Sequence, residues 1–242
     1  MNTKIIILLV ALCAFASAQA APGQRIKYEM YIESLCPDCM NFIQKSVVPA
    51  INVQNFLEIA DLTFYPYGNA KRDPQTGAVT CQHGENECYG NKIEACGAKY
   101  LTQNLQYFKL IACIEKNIKT YSGNFDKVLT VCGQDKSVKL TQDQVNSISQ
   151  CANNSEGDQL IAVIADKTDS LVPAHKYVPW VVVNGVHDTD VENAVIDNML
   201  KYTCQNYTGP IRLPECARYT QNQEIEEKLT ELLKYLRFGN KN

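Results

Sequence analysis

Strict alternation of apolar and polar side chains begins at residue 26. One face carries Ile26, Tyr28, Met30 and Ile32, and the other carries Lys27, Glu29, Tyr31 and Glu33. Alternation with a period of two predicts a strand that is buried on one face. A second strand is predicted over 57–65, ending at Pro66 and Gly68. On one of its faces lie Leu57, Ile59, Asp61 and Thr63.

Helical spacing replaces the alternation behind the first strand. Apolar residues recur through 42–51, although Pro49 should kink or end this helix. The segment 86–172 then has the pattern of a mostly helical block. An apolar stripe at Leu101, Leu105, Phe108 and Ala112 indicates one helix, and a further short helix is predicted over 122–132. A capping box from Thr141 to Gln144 begins the next helix, which carries Val145, Ile148 and Cys151 on one face. The last apolar face, at Leu160, Ile161 and Ile164, ends before Pro173.

Strand signals return at 180–183. Asn184-Gly185, which lies between valines, predicts a two-residue hairpin. Thr189 and Glu192 then predict a capping box at the start of another helix. Beyond residue 220 the chain is amphipathic again, with apolar residues at Ile225, Leu229, Leu232 and Leu236.

The order of these elements predicts the fold class. Strand, two-cysteine turn, helix, strand, helical block, hairpin and helix is the order of an α/β, thioredoxin-like domain. We therefore expect this domain at 21–211, with a cysteine-stapled, mostly helical insertion after the second strand, at about 81–172. A C-terminal extension with an amphipathic helix is expected at 212–242.

Residues 1–20 have the features of a secretory signal peptide. Lys4 provides a short positive region, an apolar run follows, and Ala16-Ser17-Ala18 offers a small-residue cleavage site. Cleavage is expected after Ala18 or Ala20. An uncleaved anchor helix is the alternative, but the apolar run is short for a membrane span. No other stretch is apolar enough to cross a membrane.

The composition narrows the class of partner. With 45% hydrophobic and 20% charged residues, the chain can bury a sizeable core. The net charge is −3 and no basic patch is present, which argues against nucleic acid as the main partner.

The cysteines indicate an oxidising compartment. Of the 11 cysteines, one (Cys13) lies in the predicted signal peptide and ten follow it. A high and even count behind such a peptide predicts a disulfide framework. Apart from Cys36 and Cys39, the candidates for structural disulfides, whose pairing the sequence leaves open, are Cys81, Cys88, Cys96, Cys113, Cys132, Cys151, Cys204 and Cys216. Two sequons predict N-glycosylation at Asn153 and Asn206.

Cys36 and Cys39 lie where the first strand gives way to the helix. A C-x-x-C after an alternating strand is typical of a thiol–disulfide redox site, with a plain structural disulfide or a zinc knuckle as alternatives. A helix N-terminus favours a thiolate at Cys36. Cys36 is therefore predicted to be the attacking nucleophile, and the more covered Cys39 to be the resolving thiol. Asp38 opposes this arrangement, because a carboxylate raises a neighbouring thiol pKa.

Val178-Pro179 precedes the third predicted strand. In a thioredoxin-type fold such a proline faces the two cysteines, usually after a cis peptide bond. A cis bond at Pro179 would leave the backbone of Val178 free to pair with an extended substrate, so both residues are predicted to position the substrate. The alternative is an ordinary trans proline at the start of a strand.

A second cysteine cluster, with the sequence CQHGENECYGNKIEAC, spans 81–96. An oxidising compartment favours disulfides here. Zinc is the alternative, with the ligands Cys81, His83, Cys88 and Cys96. His175 and His187 are isolated and are predicted to be structural or surface residues.

The same segment resembles the signature of the gamma-interferon-inducible lysosomal thiol reductase family. The pattern C-Q-H-G-x-x-E-C-x-x-N-x-x-x-x-C matches at Cys81, Gln82, His83, Gly84, Glu87, Cys88, Asn91 and Cys96. The segment 177–185 also resembles that family's proline strand, and the similarity covers about residues 26–205. It implies a thioredoxin-like reductase of protein disulfides that works at acidic pH in endosomes or lysosomes and is often also secreted.

The leading interpretation is therefore an enzyme that reduces disulfides in unfolding proteins and is itself restored by a small thiol or another reductant. No metal or organic cofactor is required. Operation at acidic pH predicts that the pKa of Cys36 is depressed to roughly 4–6. The alternative is a secreted binding protein of the same fold with a non-catalytic C-x-x-C. Oxidase and isomerase directions also stay open, because direction depends on reduction potential.

Overall fold

The computed structural model describes residues 24–220 together with Lys228. The predicted signal peptide and the apolar stripe from Ile225 to Leu236 lie outside the described residues. Within them the chain is a mixed α/β fold that is mostly helical. The strands are β1 (Ile26–Ile32), β2 (Ala60–Pro66), β3 (Lys71–Arg72), β4 (Val79–Thr80) and β5 (Trp180–Val183).

Most of the secondary structure in the described residues is helical. The helices are α1 (Pro37–Phe42), a π-helical segment (Ile43–Val47), α2 (Val48–Ile51), α3 (Phe56–Ile59), α4 (Glu85–Tyr100), α5 (Asn104–Asn117), α6 (Phe125–Gln134), α7 (Gln142–Ala152), α8 (Ser155–Asp169), α9 (Thr189–Asn206) and a 3₁₀ turn (Pro214–Cys216). The five helices α4–α8 confirm the helical block. None of these described helices has the length and apolar character that crossing a membrane needs.

The main sheet has the strand order β2-β1-β5. Strand β1 is parallel to β2 and antiparallel to β5, with Tyr31 opposite both Tyr65 and Trp180. The parallel pair needs a crossover, which α1 to α3 supply. The thioredoxin-like assignment stays a prediction.

Burial on only one face of β1 is a wrong prediction. Tyr28 and Met30 lie in the main core, as the alternation requires. Tyr31 on the other face is fully buried too, because it packs with Trp180 and Val182 and stacks on Tyr65 at 4.8 Å between ring centres. A polar-looking face is thus covered by elements that are remote in sequence.

The second strand begins later than the alternation predicts. Leu57 to Ile59 belong to the short helix α3, and the face of β2 that enters the core carries Ala60, Leu62 and Phe64. Pro49 does not end its helix. It lies in the first turn of α2, directly after the π-helical segment. The wider hydrogen bonding of that segment tolerates the N–H group that proline lacks.

The structure confirms the sequence predictions for the helical block only in part. The capping box of Thr141 and Gln144 forms as predicted. The stripe from Leu101 is only partly right. Leu101, Phe108 and Ala112 are buried, but Leu101 lies at the end of α4 and Leu105 is 38% exposed.

The region after β5 corrects two further predictions. Asn184 and Gly185 both have positive φ, as the predicted tight turn requires, but the second strand is reduced to a single bridge between Val183 and Val186. Helix α9 is capped by the side chain of Asp188 and not by a Thr189 capping box. The carboxylate of Glu192 instead accepts hydrogen bonds from the Tyr177 hydroxyl and the Val181 backbone N–H.

Candidate active site

The strand β1, the turn 33–35 and the N-terminus of α1 build the candidate site. Leu35 adopts a left-handed conformation, with φ of 69°, that redirects the chain at the end of β1. Cys36 is then the N-cap of α1, with extended backbone angles, and Pro37 occupies the first turn. Proline suits that position because the first helical N–H groups have no partner within the helix. The two cysteines thus face each other across the first turn.

Cys36 is placed to be the more reactive thiol. Its Sγ accepts a hydrogen bond from the backbone N–H of Cys39 at 3.4 Å. A hydrogen bond from the Cys39 thiol, helped by the N–H groups of Cys39 and Asp38, lowers the pKa of Cys36 to about 6, against the opposing effects of burial and of the Asp38 carboxylate. This value lies at the upper end of the range that acidic operation predicts.

Cys39 has the opposite character. It is completely buried, and this burial, together with its hydrogen bond to Cys36, raises its pKa well above the ordinary thiol value. Both thiols are free in the structure. One thiol ionises easily and its neighbour holds its proton, which is the asymmetry that stepwise thiol–disulfide exchange uses.

The structure places Val178 and Pro179 in a groove that Asp38 of the C-x-x-C turn also lines, although neither cysteine does. The peptide bond between them is cis. They line an open groove, with a volume of about 530 Å³, together with Asp38, Asn41 and Phe42 of helix α1. Since Trp180 is opposite Tyr31 at the end of β1, Pro179 lies beside the strand end that leads to Cys36.

All eight remaining described cysteines are joined in disulfides. The pairs are Cys81–Cys88, Cys96–Cys151, Cys113–Cys132 and Cys204–Cys216. The zinc alternative at Cys81, His83, Cys88 and Cys96 is therefore wrong, because its three sulfur ligands are oxidised and cannot bind a metal as thiolates.

The structure places the predicted glycosylation sites at the surface and packs His187 against β5. Asn153 and Asn206 are both exposed. Asn153 caps the end of α7 and its amide donates to the Tyr89 hydroxyl at 2.7 Å. His187 stacks on Trp180 at 3.5 Å between ring centres, in agreement with a structural role.

Sequence reasoning missed a group of buried glutamates close to the thiols. Glu33, Glu87, Glu94 and Glu115 are each at most 3% exposed. Burial is the main cause that raises the pKa of Glu33 and of Glu94 to about 7, and that of Glu115 well above the ordinary carboxyl value. The charge of Cys36 contributes to the raised pKa of both Glu33 and Glu115.

Two of these glutamates, Glu33 and Glu87, form one network with His83. His83 Nδ1 is 2.7 Å from Glu87 Oε2 and 3.6 Å from Glu33 Oε1. Their ligand atoms lie within 4.8 Å of one another, so the trio could coordinate a cation. In the structure the His83 ring is instead satisfied by Glu87. His83 and Glu87 both belong to the 81–96 motif, so the sequence could have indicated this part of the network. Glu33 could not be found in the same way, because the alternation of β1 predicts a polar face for it.

Comparisons with known proteins agree with this geometry. The family model described as gamma interferon inducible lysosomal thiol reductase (GILT) matches residues 27–136. The protein of that name from Carassius auratus is 32% identical over 186 residues, covering 76% of this chain and 69% of the relative. The one from Mus musculus is 32% identical, covering 85% and 77%. GILT-like protein 1 of Drosophila melanogaster is 30% identical, covering 84% and 82%.

Relatives that are named thiol reductases, together with the free C-x-x-C at a helix N-terminus, support an oxidoreductase. The chain belongs to the gamma interferon inducible lysosomal thiol reductase family.

Proposed function

We propose that this protein reduces disulfide bonds of unfolding protein substrates, with Cys36 as the nucleophile and Cys39 as the resolving thiol. The proposal further includes a thioredoxin-like domain at 21–211, work at acidic pH, and a location in endosomes, lysosomes or outside the cell. The observation that carries it is the pair of free cysteines at the N-terminus of α1, where Cys36 Sγ accepts the Cys39 backbone N–H; a lowered pKa of Cys36 and a raised pKa of Cys39 agree with it.

The reaction has two exchange steps. The Cys36 thiolate attacks one sulfur of the substrate disulfide, a Cys36–substrate bond forms, and the leaving sulfur takes up a proton as a thiol. The Cys39 thiol then loses its proton and attacks Cys36 Sγ, which releases the second substrate thiol. The protein ends with a Cys36–Cys39 disulfide, which an external thiol reduces.

The low pKa of Cys36 suits an acidic compartment. With a pKa of about 6, roughly a tenth of Cys36 is thiolate at pH 5, compared with about one part in 3,000 for an ordinary thiol of pKa 8.5. The Val178–Pro179 edge of the groove would hold an extended peptide against the thiols by backbone pairing. Named relatives that are lysosomal thiol reductases support the same activity.

Reduction of insulin by dithiothreitol at pH 5 and pH 7 tests the proposal. The wild-type protein should accelerate the reaction at pH 5, Cys36→Ser should abolish the acceleration, and Cys39→Ser should accumulate a mixed disulfide through Cys36. Full activity of Cys36→Ser would overturn the assignment. Binding of unfolded protein without any acceleration by the wild type would instead identify a binding protein.

A further inference from the structure

Helix α4 contacts the turn that precedes Cys36 through one short stretch of its surface. The backbone N–H of Ser34 donates to Asn91 Oδ1 at 2.8 Å, and the Ser34 hydroxyl donates to Glu94 Oε1 at 2.9 Å. Ser34 and Glu94 are fully buried and Asn91 is 2% exposed. These contacts join segments that are 57 and 60 residues apart in the chain.

Gly90 permits this close approach. A Cβ atom at Gly90 would lie 2.7 Å from the Ser34 Cβ and 2.3 Å from Cζ of Phe125, distances at which something must move. Gly90, Asn91 and Glu94, which we call the Ser34-binding face, lie on one side of α4 because residues three and four apart are neighbours on a helix.

The turn that this face holds contains a residue in a costly conformation and a buried backbone N–H. Leu35 is a non-glycine residue with a left-handed φ of 69°, a conformation that costs of the order of 1 kcal/mol. The Ser34 N–H is buried, so it needs an acceptor, and a side chain of α4 supplies it. Cys36 follows directly, and its Sγ must remain within reach of the Cys39 N–H.

We propose that Asn91 and Glu94 are positioning residues for the thiol chemistry: they hold Ser34 and thereby orient Cys36 at the N-terminus of α1. This inference rests on the proposed function. The charged or titratable groups that interact with Cys36 are Asp38 and Cys39 of its own helix, Glu33 of the turn and Glu115 of α5.

Loss of the Ser34 acceptor should loosen the turn and weaken the N–H contacts of the Cys36 thiolate. The test measures the alkylation rate of Cys36 in the reduced full chain from pH 4 to pH 9, by peptide mass mapping. In Asn91→Leu, which has similar size and no acceptor, the midpoint should rise by about one pH unit. The rate at pH 5 should correspondingly fall about tenfold. Asn91→Asp, which keeps an oxygen acceptor, should restore most of the rate.

Ile93→Ala is the matched control for packing. Ile93 is a fully buried residue of the same helix, and its hydrocarbon side chain accepts no hydrogen bond. This variant should lower the melting temperature without moving the alkylation midpoint. If Asn91→Leu also leaves the midpoint in place, Asn91 is a packing residue and the proposal is wrong.

A second variant decides the matter if Asn91→Leu does not fold. Ser34→Ala removes only the hydroxyl that donates to Glu94, and it should slow alkylation at pH 5 about threefold. An unchanged profile would contradict the role of Glu94.

Alkylation needs no protein substrate. A wild-type protein that fails to reduce insulin would therefore refute the proposed function while leaving the positioning role testable.

Discussion

Cysteine serves opposite purposes in the helical block and at the β1–α1 junction. In the block, Cys96 of α4 is joined to Cys151 of α7, and Cys113 of α5 to Cys132 of α6. At the junction, Cys36 and Cys39 are only three residues apart and are free. Burial alone does not separate the two groups, since Cys39, Cys96 and Cys132 are all fully buried.

The difference lies in which backbone groups face the sulfur. Cys36 caps a helix start, where N–H groups without helical partners stabilise a thiolate. Cys96, Cys113 and Cys132 lie inside their helices, where backbone N–H groups are already used. A cysteine at a helix start is therefore suited to react, and one within a helix is suited to cross-link. The predictions below test this contrast, from the largest expected effect to the smallest.

Removal of a cross-link from the block should have the largest effect on stability. The Cys96–Cys151 disulfide closes a loop with a sequence separation of 55. Chain entropy then predicts that Cys96→Ser with Cys151→Ser lowers the free energy of unfolding by about 4 kcal/mol. Urea unfolding of the variant and of Cys36→Ser/Cys39→Ser makes the comparison. We expect almost no change in the free energy of unfolding of Cys36→Ser/Cys39→Ser. An equal decrease in both variants would contradict the distinction between cross-linking and reactive cysteines.

The buried carboxyls should make the protein more stable in acid than at neutral pH. The pKa of Glu94 is raised from 4.5 to about 7 in the folded state. The folded state therefore binds more protons between pH 4.5 and pH 7, and the free energy of unfolding falls as pH rises through this window. For one such carboxyl the fall is at most roughly 3–4 kcal/mol.

Glu94→Gln measures how much Glu94 contributes to the pH dependence of the free energy of unfolding. The Cys36→Ser/Cys39→Ser background is used because no active-site thiol titrates in it. The slope of stability against pH should become shallower between pH 5 and pH 7, although Glu33 should keep part of it. Glu85→Gln, at an exposed position of the same helix, is the control. A Glu94→Gln slope as steep as that of the control would show that Glu94 ionises normally.

Loss of a helix cap in the block should have a smaller and purely structural effect. Thr141 accepts the backbone N–H of Gln144 and completes a capping box at α7. Thr141→Ala should lower the free energy of unfolding by about 1 kcal/mol. Exposed Gln142→Ala serves as the control. Any change in the alkylation profile of Cys36 would mean that the block and the thiols are more strongly coupled than we infer.

Asp38→Asn should give the smallest effect, and only at the thiols. The Asp38 carboxylate raises the pKa of Cys36, so its removal should lower the alkylation midpoint by roughly half a pH unit. Glu58→Gln, at an exposed position of α3, should leave the midpoint unchanged. A rise of the midpoint in Asp38→Asn would show that Asp38 acts by holding the turn.

Local pattern was sufficient for much of the fold. The alternation from Ile26 and the helical spacing of 86–172 located β1 and the helices α4–α8. Periodicity of side chains follows directly from backbone geometry, so it can be observed in the sequence. Predictions of which side chains are exposed, or of which single residue caps a helix, were less accurate. The alternation predicts a polar face for Tyr31 and Glu33, which are both buried, and the sequence predicts a Thr189 cap where Asp188 caps α9.

The sequence by itself determined the C-x-x-C at Cys36 and Cys39, its place at the start of a helix, and the family motif at 81–96, because each depends only on neighbouring residues. Only the tertiary structure decided which cysteines are joined, that Val178 and Pro179 share a groove with Asp38, and that Asn91 and Glu94 hold Ser34. These contacts link segments that are far apart in the chain. Their partners are chosen by packing and by the need of each buried polar group for a hydrogen bond, and neither is visible in a local pattern.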